Sequence, residues 1–238
     1  MTWAIRATFV AALAGTTLTT APGAYAGPFG VPWEAGPSVV TFGPLYGRVC
    51  EQCDLSQRSL NGARLTGGKF GGSDFSRSNM AQANAANAEF NGADFTRADL
   101  SKAKLNNGAF VDAHFAGAVM VAADAEGANL AGADFSNADI SAATFGQASL
   151  NGARFIAAHA QGAHFLRAGL RRADFTLANL GQADFTGADL SGAKFDRANL
   201  SGANFSGARN LNQRQLNGAC GDAETRLPPG FTAISYCQ

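Results

Sequence analysis

The sequence predicts an all-β solenoid with four short sides to each coil. Three observations predict it. A five-residue beat runs from Leu55 to Phe205, and 28 of its 31 centres are Leu, Phe, Met or Ile; the others are Ala85, Ala125 and Ala160. Alanine stands two positions before the centre in 25 of the 31 repeats. Phenylalanine recurs every 20 residues, at Phe75, Phe95, Phe115, Phe135, Phe155, Phe175 and Phe195.

The beat excludes a helix. A step of five residues advances about 500° around a helix, so the centres would scatter over every face. Frequent glycine would weaken such a helix further. In a strand, residues two apart share a face. The alanine and the centre therefore both point inward, and the residue between them points outward. The next two residues, often Ser, Thr, Asn or Asp and then Gly, are turn formers. Each repeat is one extended side and one corner, and four repeats return the chain to the same side. Stacked coils lie roughly 4.8 Å apart, so just under eight coils make a rod about 35–40 Å long. The ladder Phe75, Phe95, Phe115, Phe135, Phe155, Phe175 and Phe195 is its expected core. A ten-residue phenylalanine beat appears only late, from Phe135 to Phe205.

The segments on either side of the repeats differ from them. Residues 1–26 read as a secretory signal peptide: Arg6, an apolar run from Ala7 to Leu18, and the small-x-small pattern Ala24-Tyr25-Ala26. The mature chain then starts at Gly27. Residues 27–49 hold Pro28, Pro32, Pro37 and Pro44, which block regular structure. They form a linker, or a cover supplied by Phe29, Trp33, Phe42 and Tyr46. Residues 50–209 are the solenoid, in which Arg58 fills an inward small-residue slot, so the first coil is expected to be open or irregular. Residues 210–238 form a C-terminal cap and tail. There Asn210 breaks the register, and Asn212 with Gln215 matches a capping box for a short helix over 213–217.

Four cysteines in an exported chain suggest disulfides. Three pairings are possible, and the local one, Cys50 with Cys53 and Cys220 with Cys237, is preferred. Cys50-x-x-Cys53 also matches a redox or zinc pair, but no βαβ context and no second Cys/His pair accompany it.

The repeat Ala-(Asp/Asn)-(Leu/Phe)-(Ser/Thr)-x, from Cys53 to about Ala208, resembles that of the pentapeptide-repeat family. "CEQCDLS" and "QLNGACGDAETRLPPG" also resemble the ends of bacterial members. The resemblance implies a right-handed quadrilateral β-helix. Some relatives resemble duplex DNA and protect topoisomerases, which implies an acidic cytosolic rod. Here residues 50–218 carry 15 acidic and 15 basic side chains, and the signal peptide directs them outward.

Outward residues before each centre form columns. One reads Asp54, Asp74, Asp94, His114, Asp134, Arg154, Asp174, Lys194, with alternating signs from Asp134 that permit pairing. Its upper acids, Asp74 and Asp94 with His114, are the strongest cation candidate, outweighed by a solvated surface. Charge is also segmented along the rod. Five acids and no base lie between Lys104 and Arg154, then Arg154, Arg167, Arg171 and Arg172 precede Asp174. Val111, Val119 and Val121 are an apolar outward set and a candidate contact patch.

No hydrolase triad, zinc-protease motif or phosphate loop is present in the sequence. No regular Thr columns mark an ice- or sugar-binding face. The reading is a non-catalytic exported scaffold, periplasmic or extracellular, with no cofactor, no metal, no nucleic acid and no membrane span. Its partner is an unknown protein or a second copy of itself. The alternative is a DNA mimic that binds a topoisomerase, disfavoured by the neutral charge and the signal peptide.

Overall fold

The computed structural model describes residues 49–237. Its repeats wind so that residue i forms a parallel bridge with residue i+20, as in Asp54↔Asp74, Ser59↔Asn79, Arg64↔Asn84 and Lys69↔Glu89. Four bridged sides per 20 residues fix the four-sided coil. The centres from Leu60 to Phe205 are fully buried, and the small residue two before each is buried with it from Ala63 to Ala203.

One repeat accounts for the whole backbone. Phe95 N donates to His114 O on the next coil at 2.7 Å, and Asp94 N to Ser73 O on the previous one at 2.9 Å. Arg97 N reaches Ala116 O at 3.0 Å, and Ala98 N closes the corner onto Phe95 O at 2.9 Å. The remaining donor, Thr96 N, goes to the Asp94 side chain, Oδ1, at 2.8 Å. All five amides are satisfied, as a narrow rod with little spare water requires. The Asp or Asn before the centre is therefore part of the corner.

Each corner has its second residue in the left-handed region, as a type II turn demands. Across the corners from Gln52 to Gly207, glycine fills it at such sites as Gly62 and Gly132, and non-glycine residues at such sites as Arg97, Ala142 and Leu177. The left-handed geometry costs a side chain about 1–2 kcal/mol relative to glycine.

The phenylalanine ladder is a stack. Phe115, Phe135 and Phe155 follow one another with centroids 4.8 and 4.9 Å apart and rings within 4° of parallel. A second stack changes sides partway. In the first half it is Phe70, Phe90 and Phe110, on the side next to the ladder. In the second half it is Phe145, Phe165, Phe185 and Phe205, on the side opposite. The two stacks meet edge-on in both halves, at 5.8 Å for Phe70–Phe75 and for Phe135–Phe145. This is why the ten-residue beat appears only late.

The first coil is not open. Val49, Asp54, Ser59 and Arg64 all bridge to the second coil, and Asn79 N donates to Arg58 O at 2.8 Å. The ladder uses backbone only, so a half-buried arginine in the small-residue slot leaves it intact.

At the other end, helix α1 spans Gln213–Leu216, one residue shorter than expected. Gln215 Oε1 accepts from Asn212 N at 2.9 Å. Gln215 Nε2 donates to Leu190 O and Ala193 O, and Leu216 is fully buried. Strand β1, Cys220–Gly221, bridges back onto Asn199 and pairs in parallel with β2, Ser235–Tyr236. Disulfides join Cys50 to Cys53 and Cys220 to Cys237.

Candidate interaction surface

With the axis filled by side chains, chemistry is confined to the outer columns and corners. The columns form as the sequence orders them, because each outward residue bridges its equivalent one coil on. In the Asp54-to-Lys194 column, Arg154 pairs with Asp134 at 3.6 Å and Lys194 with Asp174 at 3.4 Å. Exposed pairs of this kind contribute about 0–1 kcal/mol each.

The carboxylates of this column serve the backbone first. Asp54, Asp74, Asp94, Asp134 and Asp174 each accept from the amide two residues later. The Ser56 hydroxyl and amide hold the Asp54 carboxyl below its usual range. Burial pushes Asp174 up, but the Thr176 hydroxyl and amide and Lys194 outweigh it, and the net direction is down. Asp74 and Asp94 spend an oxygen lone pair in the same way, and His114 follows one coil on. Among the described residues, no group of three His, Cys, Asp or Glu side chains is placed to hold a metal ion.

The three valines do not form one patch. Val119 is exposed and Val121 is half-buried at the corner beside it. Val111 is half-buried at a corner ten residues before Val121, which in a 20-residue coil is the opposite corner. Its own amide donates to Asn91 Oδ1 at 2.9 Å. Leu166 and Leu177, also exposed, lie 11 residues apart and so on opposed corners too. The apolar surface is scattered.

The charged segment after Arg154 has a definite geometry that the sequence does not disclose. Asp189 is 5% exposed and bound by three donors. These are Asn210 Nδ2 at 2.9 Å, Ser191 N at 3.2 Å and Arg171 Nε at 2.8 Å. The Asn210 amide is the main cause that holds its carboxyl low; burial opposes this, and Arg171 and Ser191 assist. Asn151 Oδ1 accepts from Arg171 N at 3.1 Å. A shallow groove runs along this corner between Asn151, Gly152, Arg171, Arg172 and Ser191. The signal in the sequence was only the Arg171-Arg172 doublet; its anchor lies 18 residues away on the next coil.

A four-sided rod of stacked five-residue turns, closed by side chains along its axis, is a β-helix of the pentapeptide-repeat class. Residues 49–81 and 73–108 match the family model for pentapeptide repeats (8 copies), and residues 128–205 match that for the pentapeptide repeat region. Together these cover more than half of the chain, which belongs to the pentapeptide-repeat family. Comparison with curated proteins gives no match.

Among solved structures, the chain is similar to HetL from the cyanobacterium Nostoc sp. strain PCC 7120, a pentapeptide repeat protein involved in heterocyst differentiation regulation. Identity is 24%, covering 75% of this chain and 89% of HetL, with a TM-score of 0.55. It is also similar to a trypsin-treated form of QnrB1, a plasmid-mediated fluoroquinolone resistance protein. There the identity is 23%, covering 73% of this chain and 91% of QnrB1, with a TM-score of 0.59. At these identities the likeness is one of fold.

Among the described residues no helix is long and apolar enough to cross a membrane. The proposed signal peptide and the aromatics of 27–49 lie outside the described residues.

Proposed function

We propose that this protein is an exported, non-catalytic scaffold whose outer columns bind a protein partner or a second copy of itself. The observation that carries this reading is the filled axis. Every centre from Leu60 to Phe205 is buried against its neighbours, so recognition falls to outward side chains on a rigid frame. Two disulfides support an oxidising compartment. Residues 1–26 are the segment that takes the chain there. The winding is right-handed, as the family resemblance implies. Helix α1 and the tail act as a cap that keeps rods from adding end to end.

The balance of charge sets this rod apart from a DNA mimic. A duplex carries one negative charge for about every 1.7 Å of its axis. Residues 50–218 have no net charge, and ten of their 15 carboxylates are tied into corners by the amide two residues later. The test has three parts. N-terminal sequencing of protein from the exported fraction is expected to begin at Gly27; intact Met1 on cytosolic protein would revive the mimic. A pull-down from the exported fraction with the mature chain is expected to retain a discrete protein partner or the chain itself. Dose-dependent inhibition of a purified topoisomerase at physiological salt would overturn the reading.

A further inference from the structure

The corner after the Leu150 and Leu170 sides carries donors without matching acceptors. Arg171 is fixed: its Nε is held at 2.8 Å by the buried Asp189 and its backbone by Asn151. That single bond at Nε leaves the two terminal nitrogens of the guanidinium uncommitted among the described residues. Arg172, next along the chain and exposed, donates its backbone amide to Ser191 O at 2.8 Å, and its side chain has no hydrogen bond or ion pair among the described residues. Below it is Gly152, beside which a side chain would meet nothing within 4 Å; above it is Gly192, whose added Cβ would lie 3.6 Å from Arg172 Cγ. Glycine on both neighbouring coils leaves the Arg172 guanidinium standing in open space. The Ser191 hydroxyl lines the same groove and carries no bond of its own among the described residues.

We propose that this groove binds a tetrahedral oxyanion, a phosphate or sulfate ester. Two adjacent guanidiniums and a hydroxyl offer planar, charge-assisted donors to one compact anion with several acceptor oxygens. The buried Asp189 is a positioning residue. It pre-orders one arginine, so less side-chain freedom is lost on binding. No acid occurs between Asp139 and Asp174 to compete for the site by sequence. Asp174 is engaged by Lys194 and Thr176, and Asp134 by Arg154, so the neighbouring carboxylates are already paired. The stacked Arg77 and Arg97, one coil apart on another corner, make no ion pair with a buried carboxylate among the described residues and serve as the internal control.

The test is a titration of the mature, disulfide-bonded protein with inorganic phosphate and, separately, inorganic sulfate at constant low ionic strength, followed by amide chemical shifts. Saturable shifts confined to Asn151, Arg171, Arg172 and Ser191 are expected. Arg172→Gln should weaken binding at least tenfold, and Arg97→Gln should not change it. Asp189→Asn should weaken it less, with melting measured alongside so that loss of fold is distinguished from loss of the anchor. The two sources separate by pH. Phosphate binding should strengthen as pH rises through the loss of its second proton, and sulfate binding should stay level. Non-saturating shifts, equal shifts at Arg77 and Arg97, or an Arg172→Gln variant that binds like the parent would overturn the proposal. A failure here leaves the scaffold reading standing, because that reading does not use the groove.

Discussion

Gly108 and Phe110 share one inward pocket: a Cβ added to Gly108 would lie 2.6 Å from Phe110 Cε2 and 3.0 Å from the Leu105 carbonyl oxygen. The slot holds alanine in 25 of the 31 repeats and glycine only here and at Gly68. Gly108→Ala is expected to destabilise the rod by about 1–3 kcal/mol, the usual cost of overpacking a core. Adding Phe110→Leu should recover part of the loss, since Leu130 occupies the same column above Ala128. Denaturant melts of the single and double variants check it. An unchanged midpoint for the single variant contradicts the packing.

Phe135 is sandwiched between Phe115 and Phe155 and meets Phe145 edge-on. Phe135→Ala should cost about 3–5 kcal/mol through lost burial and the cavity left behind. Phe135→Asp should prevent folding, because it places an unpaired charge on the axis. Circular dichroism of the purified variants tests both; a folded aspartate variant would mean that the centres do not face inward.

Leu177 combines a left-handed φ of 62° with 51% exposure. Strain there is offset by little burial. Leu177→Gly should raise stability by roughly 0.5–1 kcal/mol, the relief of about 1–2 kcal/mol less the added freedom of the unfolded glycine. Ala142→Gly should act in the same direction. The reverse change, Gly152→Ala, should lower the melting temperature. Equal melting for all three would show that corner geometry carries no penalty.

The Asp189 carboxyl is held below its unfolded value, by Asn210 foremost. A depressed folded pKa adds stability that is present above the unfolded value, about 3.9, and is lost as pH falls through the folded one. Acid titration should therefore show a destabilising limb below about pH 4. Asp189→Asn should flatten that limb while lowering stability at neutral pH. Parallel acid limbs in the two proteins would show that Asp189 is not its source.

The two disulfides close loops of unequal length, with sequence separations of 3 and 17. In the chain-entropy model the longer one contributes about 3 kcal/mol and the shorter about 2 kcal/mol. Cys237→Ser should lower stability more than Cys53→Ser. It should also release β2, seen as new amide exchange at position 237, whose amide donates to Gly221 O. Protection that persists there would assign the strand's stability to contacts such as that of Ile234 with Gly221 instead.

The period, the inward pair and the coil length were legible because one five-residue rule repeats through the whole solenoid. So were the pairings Arg154–Asp134 and Lys194–Asp174, since a column is a fixed step in sequence. What the sequence concealed was local. Asp94 reads as surface charge until its bond to the Thr96 amide is seen. Val111 reads as a neighbour of Val121 until the half-coil between them is counted. Asp189 reads as one more outward acid, and only the arrival of Asn210, where the register breaks, buries it.

The second phenylalanine stack changes sides between Phe110 and Phe145, and this makes the rod a splice of two interchangeable alphabets. Within either half, a block of 20 residues is a replaceable cassette, since ladder and ring stack meet the same partners after its removal. Each cassette alters reach by about 4.8 Å and returns every surface column to its place. Across the junction the cassettes do not match, because rings on one wall would face leucine where they expect rings. Length is thus adjustable in whole coils on each side of a fixed seam, and the spacing between two bound partners follows it as the marks on a ruler do.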